Sequence, residues 1–208
     1  LGYAPATQVY ACINNLLYNK IPDTDVRKNW WVNEDLYSPI LDEIVWPYEG
    51  TNYTGLGLAN LEISDVKMAF LPYTNVKFGM NVIGSRNNDE DWPLMRVEEM
   101  ILIQAEALAR AGQTGEAKAL LEGWVKANRD ANYVCKASDE AGLVDEIWMQ
   151  RRIELWGEGF AWFDLNRLHK PIIRTTSSNW PEAWVVDVPA GHACRIWTIP
   201  DREIQNNE

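Results

Sequence analysis

Charged side chains recur between residues 151 and 167, where they could do acid–base chemistry. Paired carboxylates can act as a general acid and a general base. A neighbouring arginine lowers the pKa of a carboxyl group, however, whereas a general acid working near neutral pH needs a raised pKa. The sequence therefore favours a structural charge network that clamps two helices. Its predicted members are Arg151, Glu154, Glu158, Asp164 and Arg167.

Arg151 shares a helical stripe with apolar residues. Val144, Ile147, Trp148 and Leu155 recur at helical spacing, and Arg151 falls within the same stripe. The spacing predicts that its guanidinium group faces the protein core. A charge in that position needs a partner.

Aromatic residues outside helical periodicity are candidates for binding sugars. The chain has 11 Trp but only 4 Phe. The apolar face of a pyranose packs on an aromatic ring, while its hydroxyl groups seek amides and charged groups. The alternative is that these rings anchor irregular loops onto the helices. The glycan-stacking candidates are Trp46, Tyr48, Trp180, Trp184 and Trp30.

Trp30 stands next to Trp31, so the two residues point about 100° apart if they lie on a helix. We expect one of the two rings to pack in the core. The other ring is a candidate ligand contact.

Composition excludes several classes of protein. The net charge of −11 argues against nucleic acid as a partner, because phosphate binding needs clustered Lys and Arg. Neither metal-binding nor nucleotide-binding motifs occur, so we predict no metal and no cofactor.

The cysteines, Cys12, Cys135 and Cys194, are predicted to be buried free thiols, and one disulfide is the alternative.

Periodicity predicts a mainly α-helical protein with long irregular loops. Two helical hairpins of tetratricopeptide-like size are expected at about residues 91–129 and 142–169. A Pro in the first turn, Pro93, marks the start of the first hairpin. A further helix is expected over residues 8–19. The regions 32–88 and 171–198 are predicted to be irregular. The whole of 1–208 is predicted to form a single domain.

Four motifs in order resemble the SusD/RagB family of outer-membrane glycan-binding lipoproteins. Residues 151–167 contain Arg-Arg-x-Glu-Leu-x-x-Glu-Gly-x-x-x-x-Asp-Leu-x-Arg, which resembles the C-terminal signature of that family. Residues 95–107 read Met-Arg-Val-x-Glu-Met-x-Leu-x-x-Ala-Glu-Ala, and residues 199–207 read Ile-Pro-x-x-Glu-Ile-x-x-Asn. The weaker Ile-Pro-x-Thr-Asp-x-Arg-Lys lies at residues 21–28.

The resemblance implies a SusD-like fold and non-catalytic binding of an oligosaccharide or polysaccharide. It further implies a place on the extracellular face of the outer membrane, with a SusC-like TonB-dependent transporter as partner. By the same resemblance, this chain is the C-terminal half of a longer protein whose N-terminal part carries a lipid anchor. Two alternatives stay open: a helical-repeat module that binds proteins, and a glycoside hydrolase that uses Asp or Glu pairs.

Overall fold

The computed structural model describes residues 3–4, 9–43, 45–48, 50–53, 71–78 and 94–206. Over these residues the protein is mainly helical, as predicted. The chain forms two compact units, Leu1–Glu154 and Leu155–Glu208. Since the boundary falls within the second predicted hairpin, a single domain over 1–208 stays a prediction.

Short elements make up the N-terminal part of the first unit. They are β1 (Tyr3–Ala4), β2 (Val9–Tyr10), α1 (Asn15–Tyr18), a 3₁₀ helix (Val26–Trp30), α2 (Pro39–Asp42), β3 (Trp46–Tyr48) and β4 (Thr51–Tyr53). β1 pairs with β2, and β3 pairs with β4, both in antiparallel fashion. The region 32–88, predicted to be irregular, therefore contains a helix and a β-hairpin.

The helix expected over residues 8–19 is wrong for most of that range, because β2 and extended chain precede α1. The amide of Ile13 donates to the carbonyl of Tyr73, and the amide of Asn75 donates to the carbonyl of Ala11, both at 3.0 Å. These hydrogen bonds to a segment about sixty residues away satisfy the backbone in an extended form. Helix α1 begins only after Asn14, whose side chain accepts the amide of Leu16.

The segment 73–76 is paired on both sides. Its other partner is the chain that follows the 3₁₀ helix: the amide of Val32 donates to the carbonyl of Thr74 at 2.9 Å, and the amide of Val76 donates to the carbonyl of Trp30 at 2.8 Å. This pairing fixes Trp30 and the adjacent Trp31, one of which is a candidate ligand contact.

Three helices form the helical layer of the first unit. They are α3 (Val97–Arg110), α4 (Thr114–Asn128) and α5 (Glu140–Glu154), and each contacts the other two. Their buried apolar residues lie at helical spacing: Leu102, Ala105 and Ala109; Ala117, Leu121, Trp124 and Val125; and Leu143, Val144, Ile147 and Ile153. The two helices of the first predicted hairpin are therefore confirmed.

The predicted start of α3 is wrong. Pro93 lies outside the described residues, and the helix begins at Val97, after an extended Arg96 with φ −123° and ψ 150°. The guanidinium of Arg96 donates to the carboxylate and to the carbonyl of Glu154, at 3.1 and 2.8 Å. That tertiary contact leaves no local signal in the sequence.

The second unit contains shorter elements. They are α6 (Ala161–Arg167), two 3₁₀ helices (Glu182–Trp184 and Ala193–Arg195) and α7 (Asp201–Asn206). Gly157 and Gly159, with φ of 79° and 94°, precede α6. Helices α5 and α6 correspond to the two helices of the second predicted hairpin. They lie in different units, so their packing and the tetratricopeptide-like arrangement stay predictions.

The three cysteines are free thiols, as predicted. Cys135 is buried, Cys12 is half-buried and Cys194 is exposed, so the expected burial is confirmed for Cys135 and is wrong for Cys194. No described helix combines the length and the apolar character that crossing a membrane requires.

Candidate functional site

Trp46 and Tyr48 lie in strand β3 and not in irregular chain as predicted. The register pairs Trp46 with Tyr53 and Tyr48 with Thr51. Between the strands, Gly50 has a φ of 81°, a conformation that favours glycine. The hairpin thus holds the backbone of both candidates and places a third aromatic residue opposite Trp46.

The prediction that one of the adjacent tryptophans packs in the core is confirmed. Trp31 is only 1% exposed, and its ring centroid lies 6.1 Å from that of Trp30. Trp30 is half-buried, and two cations contact its ring: Lys77 Nζ at 5.0 Å and Arg129 Cζ at 5.8 Å from the centroid. These cation–π contacts favour a packing role for part of the Trp30 ring.

Trp180 and Trp184 are exposed to 37% and 61%, and both lie in the region 171–198. Trp184 ends the 3₁₀ helix Glu182–Trp184, and its amide donates to the carbonyl of Pro181 at 2.8 Å. The guanidinium carbon of Arg174 lies 4.2 Å from the centroid of the Trp180 ring. Two accessible aromatic rings and a cation therefore share one loop.

The base of this loop is closed by hydrogen bonds. Ile172 and Val188 exchange two backbone hydrogen bonds, each of 2.9 Å. Next to them, Asp187 Oδ1 accepts the amides of Arg174 and Thr175 at 2.7 and 3.0 Å. Hydrogen bonds from Thr175 and from the Arg174 amide lower the pKa of Asp187, so this carboxylate is ionised near neutral pH. We call residues 172–188 the tryptophan loop.

Trp197 was missed among the sequence candidates. It is 85% exposed, more than either tryptophan of the tryptophan loop, and its apolar neighbours Ile196 and Ile199 are exposed too. Like Trp46 and Trp180, it lies outside helical periodicity and near a proline, Pro200. That signal could have identified it.

Glu154, one of the predicted network residues, is fully buried and contacts three arginines. Its carboxylate accepts a hydrogen bond from Arg129 Nε at 2.8 Å. It also accepts hydrogen bonds from Arg96 at 3.1 Å and from Arg27 at 3.3 Å. A second guanidinium nitrogen of Arg129 lies 2.9 Å from the other carboxylate oxygen, which makes that pair bidentate. The carbonyl of Glu154 also accepts Lys77 Nζ at 2.7 Å.

The arginines keep Glu154 ionised. Burial alone would raise its pKa, but the hydrogen bonds from Arg129 and the positive charges of Arg129, Arg27 and Arg96 outweigh burial and lower the pKa below its usual value. Both carboxylate oxygens are occupied by guanidinium groups. Such a group is suited to holding chain segments together and is a poor general acid.

The other predicted members of the network divide between the two units. Arg151 is buried in α5 of the first unit, as its stripe predicted. In the second unit Arg167 Nε donates to the buried carboxylate of Asp164 at 2.8 Å, and Glu158 is half-buried. A network that joins all five residues stays a prediction.

The partners of Glu154 were missed as network residues. Arg27 makes a bidentate ion pair with Asp25, at 3.0 and 2.6 Å, and donates to Gln150 at 2.6 Å. Arg27 and Arg96 lie in two of the motifs that carry the family resemblance. Those motifs could have identified Arg27 and Arg96 as network residues. Arg129 follows the end of α4 and belongs to none of the motifs.

Metal binding finds no support among the described residues. Nowhere in ranges 9–43, 45–48, 50–53, 71–78 and 94–206 do three His, Cys, Asp or Glu side chains group in a way that could hold an ion.

The comparisons with known proteins agree on one family. The model of the SusD family matches residues 47–208, which is more than half of the chain. A SusD-like protein of Formosa agariphila is 33% identical over 93 residues, which cover 41% of this chain and 18% of that protein.

A solved structure has the same fold. The SusD-like carbohydrate binding protein from Bacteroides vulgatus matches with a TM-score of 0.64 and 22% identity, over 95% of this chain and 40% of the other. The chain thus spans less than half the length of that relative. On the match of the family model, the chain belongs to the SusD family.

Proposed function

We propose that this protein binds oligosaccharides or polysaccharides at the bacterial cell surface and does not hydrolyse them. The observation that supports binding most directly is the pair of exposed rings, Trp180 and Trp184, on a loop closed at its base. Exposed aromatic rings offer an apolar face to a pyranose, and a loop ordered before binding loses little entropy on binding. The solved relative is itself described as a carbohydrate binding protein.

We propose two candidate stacking surfaces, one in each unit. One is the tryptophan loop, with Trp180 and Trp184. The other is the β3–β4 hairpin, with Trp46 and Tyr48, whose backbone is fixed by its register. Trp30 is a weaker candidate, since cations already contact its ring.

Binding without catalysis is supported by the state of Glu154. A glycoside hydrolase needs one carboxylic acid with a raised pKa beside a second carboxylate. The pKa of Glu154 is instead lowered by the three arginines, and the residue is 0% exposed. A polysaccharide cannot reach a carboxylate buried in this way.

Family membership supports a finer proposal about location and partner. We place the protein on the extracellular face of the outer membrane, anchored by a lipid on an N-terminal part of a longer chain. There it would deliver glycans to a SusC-like TonB-dependent transporter. Nutrient uptake would then follow from binding by this protein and transport by its partner.

A glycan array tests binding and an assay for reducing ends tests catalysis. We expect the purified protein to bind at least one class of polysaccharide and to release no reducing ends from it. Release that disappears in the Glu154→Gln variant would identify a hydrolase. Absence of binding across the array would contradict the proposed function.

A helical-repeat interaction module remains the second candidate function, because exposed apolar residues run from just before α3 into its first turns. Leu94, Val97, Met100 and Ile103 follow one another at three-residue spacing and are all exposed. If this protein captures the transporter but binds no glycan, the result favours this candidate. Glycan binding that survives Val97→Ser and Met100→Ser would favour the first.

A further inference from the structure

We propose that the tryptophan loop binds glycans that carry an oxyanion, either a uronate carboxylate or a sulfate ester, and that Arg174 binds this group. The inference rests on the glycan-binding function proposed above and adds the chemical class of the ligand. It arises from the state of one side chain, the guanidinium of Arg174, which lies against Trp180.

Arg174 is held in place from two sides. Its guanidinium carbon lies 4.2 Å from the centroid of the Trp180 ring, within the range of a cation–π contact. Its amide donates to Asp187 Oδ1 at 2.7 Å, and the exchange between Ile172 and Val188 fixes the backbone two residues earlier. A long side chain restrained in this way loses little further entropy when it binds a ligand.

Within the described part of the chain, the positive charge of Arg174 has no anionic partner. Its Nε is buried without a hydrogen-bond acceptor, and among the described residues no carboxylate forms an ion pair with the guanidinium. Asp187 is close in the fold, but its Oδ1 accepts the backbone amides of Arg174 and Thr175. The guanidinium charge is partly desolvated and no described carboxylate compensates it, which costs free energy; an incoming anion that binds the terminal nitrogens would recover part of that cost.

The contrast with the arginines around Glu154 makes this state informative. Arg27, Arg96 and Arg129 each pair with a carboxylate at 3.3 Å or less. Arg195, which is buried in the same unit as Arg174, donates to neutral oxygens of Asn166 and Lys170 at 3.0 and 2.7 Å. The side chain of Arg174 makes neither kind of bond to a described residue, although it is half-buried beside exposed aromatic rings.

The chemistry of the loop suits an acidic sugar. A guanidinium group binds a carboxylate or a sulfate through charge-assisted, often bidentate hydrogen bonds, whereas a neutral hydroxyl group offers one weaker bond. The ring of the same sugar can stack on Trp184 or on the exposed part of Trp180. Although the chain carries a net charge of −11, residues 171–198 balance Arg174 and Arg195 against Glu182 and Asp187. The loop therefore lacks the acidic excess that would repel an anionic glycan.

Calorimetry with matched probes tests the inference. The first pair is an oligogalacturonate and its methyl ester, and the second is a carrageenan oligosaccharide and its desulfated form. We expect the anionic member of at least one pair to bind roughly tenfold more tightly than its neutral partner, as loss of one charge-assisted interaction implies. The preference should weaken as the salt concentration rises. The pair that shows it identifies the oxyanion as carboxylate or sulfate.

Three variants complete the design. Arg174→Gln should remove the preference, so that the anionic and the neutral member of a pair bind with similar affinity. Arg174→Lys should retain part of it, since the charge stays and the planar donor group is lost. The control is Arg202→Gln, which makes the same change of charge at an exposed position of α7 and should keep the full preference.

The outcomes separate this inference from the proposed function. Equal affinity for both members of each pair, a preference that survives Arg174→Gln, or no binding of either anionic probe overturns the role of Arg174. Binding of neutral glycans in any of these cases leaves the proposed function standing. Absence of binding on the whole glycan array overturns both.

Discussion

At the scale of single residues, Glu154 shows how a buried carboxylate becomes a structural connector. It ends α5 and accepts hydrogen bonds from Arg27, Arg96 and Arg129, which come from three distant parts of the first unit. Bringing these charges out of water costs free energy, and the close ion pairs offset that cost. Removing the one carboxylate would leave three guanidinium groups with less compensation than they have now.

We therefore expect Glu154→Ala to lower the free energy of unfolding by about 3–5 kcal/mol, the range found when a buried ion pair loses one partner. Chemical denaturation measures this loss. Glu140→Ala is the matched control, since it removes an exposed carboxylate from the first turn of the same helix. Its effect should stay below about 1 kcal/mol. Similar losses in both variants would mean that the arginine contacts add nothing to stability.

The lowered pKa of Glu154 predicts how stability depends on pH. Because its pKa in the folded protein lies below the ordinary value of 4.5, the unfolded chain takes up a proton first on acidification. The stabilisation by Glu154 is thus complete above about pH 4.5 and is lost as the pH falls through the folded pKa. Unfolding curves between about pH 3 and 7 should show a shallower acid loss for Glu154→Gln than for the natural protein, by the same linkage. Parallel curves would assign the acid sensitivity to other carboxylates.

At the scale of elements, the helical layer was predictable and the extended segments were not. The apolar stripe of α4, with Leu121, Trp124 and Val125, depends on spacing within one helix, and it is buried as predicted. Residues 8–19 carry a similar spacing, yet residues 11–13 pair with residues 73–75. Pairing across about sixty residues leaves no periodic signal, so the local pattern predicted the wrong element there.

The candidate site likewise contains features that were predictable from local sequence and features that were not. Trp180 and Trp184 were predicted from their loop context, and both are exposed. The hairpin that carries Trp46 was missed, although Gly50 stood at its turn. Arg174 was not a candidate, because the contact that sets it against Trp180 depends on how the loop closes and has no sequence motif.

Two glycines of the first hairpin allow a direct test of the turn between α3 and α4. Gly112 has a φ of 80°, whereas Gly123 lies within α4, and a Cβ atom added at either position meets nothing within 4 Å. Only backbone conformation separates them. Gly112→Ala should destabilise the protein by about 1–2 kcal/mol, and Gly123→Ala should stabilise it by about 0.5–1 kcal/mol. Thermal and chemical unfolding of the two variants measure both changes. Equal effects would show that the turn does not impose its conformation.

At the scale of the whole molecule, the chain presents a helical layer in one unit and a loop-rich second unit. The second unit is where exposed tryptophans concentrate among the described residues, with Trp180, Trp184 and Trp197. Rigid scaffolds commonly carry binding residues on loops. We therefore expect the charge cluster around Glu154 to supply stability and the tryptophan loop to supply recognition.

The measurement that tests this division of roles most directly is calorimetry with a glycan that binds on the array, combined with melting curves, on the Trp184→Ala variant. Trp184 is 61% exposed, so its ring contributes little to packing. We predict that the variant melts like the natural protein and binds the glycan more weakly by about 1–3 kcal/mol, as for aromatic anchors at other interfaces. Trp180→Ala and Trp46→Ala should behave alike, and Phe163→Ala serves as the control, since Phe163 is an exposed aromatic residue of α6 that is not among the stacking candidates. Variants that melt early and bind normally when folded would show that these rings only anchor their loops, and would contradict the central claim.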